Sequence, residues 1–338
     1  MGFLCKRACV IGSGSFGTAL ANVLATNCEQ VHLWGRDEKL VAAINERHQN
    51  PVYLPDIPLA DNIWATSSLE EALEKGELVV SATPSHATRE VITRALEFLP
   101  KHAPIITVSK GIENDTLLTM TEVLEDCLPE ERQPYIGVLS GPSFAKETAL
   151  RMPTVVTIAS RWDKLAGRCQ AIFHTDSFRI YTSSDVMGLQ LGGALKNVIA
   201  IAAGIADGLG FGHNARAAII TRGLAEIGRI AMRHGANPLT LSGLSGLGDL
   251  VLTCTGDLSR NRRVGLELGK GRTLEEILRD MKQVAEGVKT AKSARDLSLK
   301  DGVELPICDQ VFSILYEQKS PKTAVVELMS RQPKSELV

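Results

Sequence analysis

The chain predicts two unlike halves: a doubly wound, parallel α/β sheet first, then an all-helical unit. Three observations carry this reading. Short apolar runs alternate with helix-like segments from Arg7 to Thr182, the pattern of strands joined by crossover helices. No run of strand character follows Thr182, whereas helical periodicity continues to Glu317. Finally, 338 residues are enough for two domains of ordinary size. The halves are expected at 1–187 and 188–338.

Within the first half, Arg7 to Ile11 runs directly into Gly12-Ser13-Gly14-Ser15-Phe16-Gly17 and then a helix-like segment. This is G-x-G-x-x-G between strand and helix. Gly12 permits the tight turn, Gly14 lets a pyrophosphate approach the backbone, and Gly17 lets helix and strand pack closely. The helix N-terminus adds unpaired N–H groups and a positive dipole end. The motif therefore points to a dinucleotide, with an unrelated glycine turn as the competing reading. The second strand, Gln30 to Trp34, ends at Gly35-Arg36-Asp37. An acidic residue there holds a ribose 2′-OH, and an arginine accommodates a 2′-phosphate. Arg36 favours NADP(H), Asp37 leaves NAD(H) open, and a mere surface pair is the third possibility.

Further strands are expected at Leu78 to Ala82, Ile105 to Ser109, Tyr135 to Ser140, Thr154 to Ala159 and Phe178 to Thr182, with helices at Leu69 to Lys75 and Thr88 to Leu99. Ligands of such sheets sit beyond the carboxyl ends of the strands. Three polar sequences stand at those ends: Thr83-Pro84-Ser85, Lys110-Gly111 and Gly141-Pro142-Ser143-Phe144-Ala145.

The second half opens with an apolar, Gly- and Ala-rich stretch from Gly188 to Gly223. On a helix, Leu191, Leu195, Val198, Ile199, Ala202 and Ile205 form one apolar stripe. Lys196 lies beside it, on a ridge with Gly192, Ala200 and Ala203. Small neighbours would hold the amine in a poorly hydrated place, and desolvation lowers a lysine's pKa toward the range useful for proton transfer. The competing reading is a lysine snorkelling to solvent. A helix follows from Ala215 to His234. Leu241 to Leu252 is too glycine-rich for a plain helix and reads as a bent connector delivering Asp249. Ser259-Arg260-Asn261, at the start of another helix, forms a candidate phosphate clamp of guanidinium, hydroxyl, amide and helix N–H donors. Nucleic-acid contact is the alternative, disfavoured because no aromatics interleave the arginines. Thr273 to Met281, Thr290 to Lys300 and Gln310 to Glu317 complete the helices.

Composition limits the function classes. A hydrophobic fraction of 44% and a net charge of −2 fit a folded protein with no overall pull toward nucleic acid or anionic lipid. Seven scattered cysteines without a C-x-x-C pair read as reduced thiols, and with dispersed histidines they give no metal site. No signal peptide is evident. The span free of charge from Asn197 to Ala206 is shorter than the ~20 residues needed to cross a bilayer. A cytoplasmic protein without membrane insertion is expected.

Taken together, Ile11 to Leu20, Val108-Ser109-Lys110-Gly111, Ser140 to Ala145, Ala194-Leu195-Lys196-Asn197-Val198, Gly246 to Leu250, Ser259-Arg260-Asn261 and Val284-Ala285-Glu286-Gly287 resemble bacterial NAD(P)-dependent sn-glycerol-3-phosphate dehydrogenases over almost the whole chain. The resemblance implies a Rossmann-type domain, an oxidoreductase acting on dihydroxyacetone phosphate and sn-glycerol 3-phosphate, and a role in phospholipid synthesis. It implies Lys196 as proton donor and acceptor, Lys110 as its cationic companion, and Asp249 on the substrate or on Lys196. Gly141, Ser143, Ser259, Arg260 and Asn261 would surround the substrate, with Asn197 and Thr253 as weaker candidates. On the cofactor side it implies Ser15, Phe16, Arg36, Lys110, Ala145, Arg260, Val284 and Glu286, beside the glycine turn. A homodimer is expected through the apolar second half. A β-hydroxy-acid reductase of the same plan and a nucleotide-sensing protein without chemistry are the alternatives.

Overall fold

The computed structural model describes residues 2–281, 283–333 and 335–336. Met1 and Val338, the outer bounds of the two expected halves, lie outside them. The N-terminal half is built on an eight-stranded sheet. Its first unit is β1 (Cys5–Ile11), α1 (Ser15–Leu24), β2 (Cys28–Trp34) and α2 (Glu38–Arg47). A small antiparallel pair follows, β3 (Gln49–Asn50) with β4 (Leu54–Pro58), and then β5 (Ile63–Thr66) on the sheet edge beside β2. The chain continues through α3 (Leu69–Leu73), β6 (Leu78–Ser81), α4 (Thr88–Ala95), β7 (Ile105–Thr107), α5 (Met120–Cys127) and β8 (Ile136–Ser140). It closes with α6 (Ala145–Ala149), β9 (Thr154–Ala159), α7 (Asp163–Phe173) and β10 (Phe178–Ser183).

The strand order is β10-β9-β8-β7-β6-β1-β2-β5, with helices on both faces and buried apolar clusters against each. The expected strands are present, each within a few residues of its place. Two strands differ in direction: β8 and β9 pair antiparallel, so β9 and β10 run against the rest. The link between β8 and β9 holds only the five-residue α6, which packs on α1. The β3–β4 pair and β5 are absent from the sequence expectation. The short Ile63–Thr66 run, bounded by asparagine and serine, carries too few residues to announce itself.

The second half starts with α8 (Val186–Gly208), capped by Asp185, whose carboxylate accepts from the Gly188 N–H at 2.8 Å. Next come α9 (His213–Arg233), α10 (Pro238–Leu241), a π-helical turn over Leu244–Gly248, α11 (Asp249–Thr255) and α12 (Arg260–Gly269). The remaining helices are α13 (Leu274–Asp280), α14 (Glu286–Asp301), α15 (Pro306–Tyr316) and α16 (Pro321–Met329). Among the described residues no strand follows Ser183. The helix α16 was not expected from sequence; it sits on α15 with only Ala324 buried, so its apolar periodicity is weak.

The helix α8 is the axis of this half, packed by α9, α11, α12, α14 and α15. It has no single apolar stripe: nearly every residue from Gly188 to Ala206 is buried, and Ala202, expected in the stripe, is only half-buried. By length and composition it is apolar enough to cross a membrane, contrary to the reading from its charge-free span, yet 94% of its most apolar window is buried within the protein. Its contact with α12 is backbone to backbone. Gly204 and Gly208 face Arg262, Leu266 and Gly269, while Gly265 and Gly269 face the carbonyls of Ile201 and Ile205. A Cβ at any of these four positions would collide with backbone atoms.

This gives a paired test. Gly265→Ala should destabilise the fold by about 1–3 kcal/mol through overpacking, outweighing the ~1 kcal/mol that alanine gains in a helix. Gly167→Ala, in α7 with open space around it, should instead stabilise by up to about 1 kcal/mol. Denaturant midpoints measure both, and a stabilised Gly265→Ala would refute the close contact.

Candidate active site

The glycine turn stands at the carboxyl end of β1. Gly12 has φ +124°, and a Cβ there would meet the Ala82 carbonyl oxygen at 2.6 Å, so backbone conformation and space both demand glycine. Gly17 packs against Gly12 in the way that close helix–strand contact requires. Gly14 is different, since nothing lies within 4 Å of the place its Cβ would occupy. Gly14 is also the N-cap of α1 and offers no capping side chain, so open space adjoins uncapped backbone donors. A pyrophosphate fits there by shape and by charge. Ser15 donates to the Tyr53 carbonyl at 2.7 Å, and Phe16 packs on the apolar core. Ala145 opens α6, which lies against α1.

At the end of β2, Asp37 is the N-cap of α2. Its carboxylate accepts from the N–H groups of Lys39 at 2.9 Å and Leu40 at 3.2 Å. Arg36 is exposed and makes no hydrogen bond to a described residue. The acidic group at this strand end is thus committed to the helix, while the guanidinium remains available.

The second centre lies where the sheet meets the helical half. Lys196 is 6% exposed and Asp249 1%. The Lys196 Nζ donates to Asp249 Oδ1 at 2.5 Å and to Thr253 Oγ1 at 2.6 Å. Thr253 passes its own proton to the Asp249 carbonyl at 2.6 Å, so its lone pairs are turned toward the amine. From the sheet side, Lys110 Nζ donates to Asp249 Oδ2 at 2.7 Å and to the Gly141 carbonyl at 3.0 Å. One carboxylate is therefore shared by two ammonium groups from different halves of the chain. Burial pulls the Lys196 pKa down from the ordinary lysine value to about 8; Asp249 opposes this and Lys110 adds to it. The snorkelling alternative does not hold.

The local folds explain the placement. Asp249 opens α11 straight after the π-helical turn, which is the bent connector expected from the glycines of this stretch. Lys110 reaches across because Gly193 leaves room: a Cβ there would stand 2.9 Å from Ser140 Oγ and 3.5 Å from the Lys110 stem. Ser143 donates to the Gly141 carbonyl at 3.0 Å, beside the Lys110 contact.

The Ser259-Arg260-Asn261 cluster begins α12 as expected, but its members differ. Ser259 caps the helix by accepting from the Arg262 N–H at 3.2 Å and is buried. Asn261 donates to Asn197 Oδ1 at 2.8 Å and accepts from the Gly287 N–H at 2.9 Å. Asn197 leans on the Lys110 carbonyl at 3.4 Å. Both amides thus tie α8, α12 and α14 together. Arg260 alone projects to solvent. Desolvation by the surrounding protein lowers its proton affinity, with Glu286 acting in the opposite sense.

Glu286 opens α14 and grips the turn after β6, accepting from the Ser85 N–H at 3.2 Å and the Ser85 hydroxyl at 2.5 Å. Val284 is exposed beside it. Ser85 and Gln283, which lies 3.4 Å from the Ser15 hydroxyl, were not singled out from sequence. Ser85 could have been, since it stands at a strand's carboxyl end. Gln283 carries no motif. All seven cysteines are free, and six are buried. Among the described residues no group of three or more His, Cys, Asp or Glu is arranged to hold a metal ion.

A strand–glycine-turn–helix unit of dinucleotide type, joined to a helical half that buries a pair of lysines on one carboxylate, fits an NAD(P)-dependent dehydrogenase with a Rossmann-type first domain. The comparisons with known proteins narrow the class. The family model described as NAD-dependent glycerol-3-phosphate dehydrogenase N-terminus matches residues 7–166, and its C-terminus counterpart matches 185–326. The chain belongs to this family. The glycerol-3-phosphate dehydrogenase [NAD(P)+] of Myxococcus xanthus is 73% identical over 98% of this chain and 99% of its own length. That of Anaeromyxobacter dehalogenans is 55% identical over 98% and 100%. The crystal structure of the Coxiella burnetii glycerol-3-phosphate dehydrogenase superposes with a TM-score of 0.92 at 39% identity, covering 97% of this chain and 100% of that one.

Removing the shared carboxylate should expose its role. Asp249→Ala leaves two ammonium groups uncompensated and should lower unfolding free energy by about 3–5 kcal/mol at neutral pH. Without Asp249 the Lys196 pKa falls further, so the deficit should shrink as pH rises toward about 8. Chemical unfolding of wild type and variant across that range is the measurement. A deficit independent of pH would contradict the assignment.

Proposed function

We propose that this chain reduces dihydroxyacetone phosphate to sn-glycerol 3-phosphate, reversibly, with Lys196 moving the proton. The observation that supports this most is the Lys110–Asp249–Lys196 arrangement, with Thr253 fixing the amine. Bound at the glycine turn, the nicotinamide cofactor supplies or accepts the hydride. Gly12, Gly14 and Gly17 with the α1 N-terminus would hold its pyrophosphate, and Ser15, Phe16, Ala145, Val284 and Glu286 would line its cleft. In the reducing direction the Lys196 ammonium donates a proton to the C2 oxygen as negative charge develops there. In the oxidising direction the neutral amine takes it back. Lys110 stabilises the same oxygen electrostatically, and Asp249 orients both lysines. Gly141 and Ser143 flank Lys110.

Arg260 grips the phosphate from the cleft wall, with the α12 N-terminus behind it. Ser259, Asn261 and Asn197 hold that helix end in place. Phosphate binding is remote from the reacting carbon, so it serves to position C2. The free Arg36 and the committed Asp37 favour NADPH over NADH. The physiological direction is synthesis of glycerol 3-phosphate for phospholipids, in the cytoplasm, by a homodimer without membrane insertion. These last points rest on the family resemblance.

Lys196→Ala should lower kcat by about three orders of magnitude with cofactor affinity largely kept. In wild type, kcat/KM for ketone reduction should fall as pH rises through about 8, and alcohol oxidation should rise over the same interval. Near-normal turnover of the variant with NADPH and dihydroxyacetone phosphate would remove Lys196 from the mechanism. Arg260→Ala should chiefly raise KM for the phosphorylated substrate, by about 10- to 100-fold. An unchanged KM would place the phosphate elsewhere.

A further inference from the structure

Three basic side chains from three separate elements stand around the glycine turn. Arg36 follows β2. His86 lies in the 3₁₀ turn Ser85–Ala87 after β6. Lys289 sits one helical turn into α14 from Glu286. The strands β6 and β2 flank β1 on either side, so the first two residues leave the sheet on either side of the glycine turn. The third is brought in by the Glu286–Ser85 contacts at 2.5 and 3.2 Å, which dock the start of α14 on the turn that carries His86. Partial burial, and after it the charges of Lys289 and Arg36, hold the His86 pKa below the usual histidine value; Glu286 opposes them.

None of the three has a hydrogen-bond or ion-pair partner among the described residues. Glu286, the acidic group that faces His86, is already engaged by Ser85. The like charges of Arg36 and Lys289, gathered without a partner, raise the energy of the empty site and lower that of an anion-filled one, and the imidazole adds a further N–H donor. Three donors from three directions suit a phosphate better than a carboxylate, which a single arginine fork would satisfy.

We propose that His86 and Lys289 complete, with Arg36, an anion subsite for the phosphate on the adenosine ribose of NADP(H), so that the helical half contributes to the choice of cofactor. The proposal rests on the NADPH preference proposed above. It adds two specificity-determining residues, one of them from outside the Rossmann-type domain. Neither touches the reacting atoms. Their effect belongs to nucleotide affinity and not to the chemical step.

The test is calorimetric binding of adenosine 2′,5′-bisphosphate and of 5′-AMP to the full chain, for wild type, Lys289→Gln, His86→Gln and Arg36→Gln. Unfolding midpoints confirm that each variant is folded. Wild type should bind the bisphosphate more tightly than 5′-AMP. Lys289→Gln and His86→Gln should each weaken the bisphosphate by about 5- to 10-fold, as expected for loss of one charge-assisted contact, and change 5′-AMP less than twofold. If only Arg36→Gln loses the discrimination, the NADPH preference stands and the roles of His86 and Lys289 fall. If wild type does not discriminate at all, the preference itself falls and the subsite with it. Equal weakening of both nucleotides in the two variants would overturn the proposal, because it would show a general effect on the cleft.

Discussion

One buried carboxylate holds the two halves of this protein in working register. Asp249 is almost wholly removed from solvent, and each of its oxygens takes an ammonium from a different side. A lone carboxylate in that position would be driven to its neutral form, and two lysines without it would repel each other. Placed together, the three groups leave one excess positive charge, which under the proposed function would face the ketone oxygen as it becomes an alkoxide. Much of the remaining architecture serves this group. The π-helical turn aims Asp249, Gly193 opens a passage for Lys110, and the burial of α8 on every side denies Lys196 water.

Much of this was legible in the sequence, for identifiable reasons. The glycine turn is readable because its geometry admits almost no other residue at Gly12. The alternation of strands and helices is readable because each strand of a parallel sheet is a short continuous apolar run. Lys196 stood out as a charge in an apolar stretch, but the stretch alone could not exclude a path to solvent. Its burial needed α11, α12 and α14 packed around it. The reversal of β9 and β10 was not legible, since a run of β-branched residues carries no direction. Nor was the amide relay through Asn197 and Asn261, which joins residues 64 positions apart. Sequence gave those two asparagines a direct place on the substrate. The structure shows them first as ties between helices. Thr253, a weaker candidate by resemblance, lies one turn beyond Asp249 on α11, directly on the Lys196 amine; the four-residue spacing is the available signal.

The division of labour between the halves is less sharp than two domains in series suggest. Lys110 belongs to the sheet and works in the helical site, while Glu286 belongs to the helices and grips the turn after β6. Side chains thus cross the boundary in both directions, at the shared carboxylate and beside the glycine turn. Binding at either end therefore acts on a contact that the other half helps to hold.

The glycine-to-glycine seam between α8 and α12 sets a length. Main chain rests on main chain there, so no side chain can be trimmed or swapped to slide one helix against the other. Lys196 rides on α8 and Arg260 at the start of α12, and the distance separating them behaves as a rigid caliper. Under the proposed function such a caliper would measure the substrate: a three-carbon chain would reach both jaws, and a longer homologue would have to buckle or leave one jaw empty.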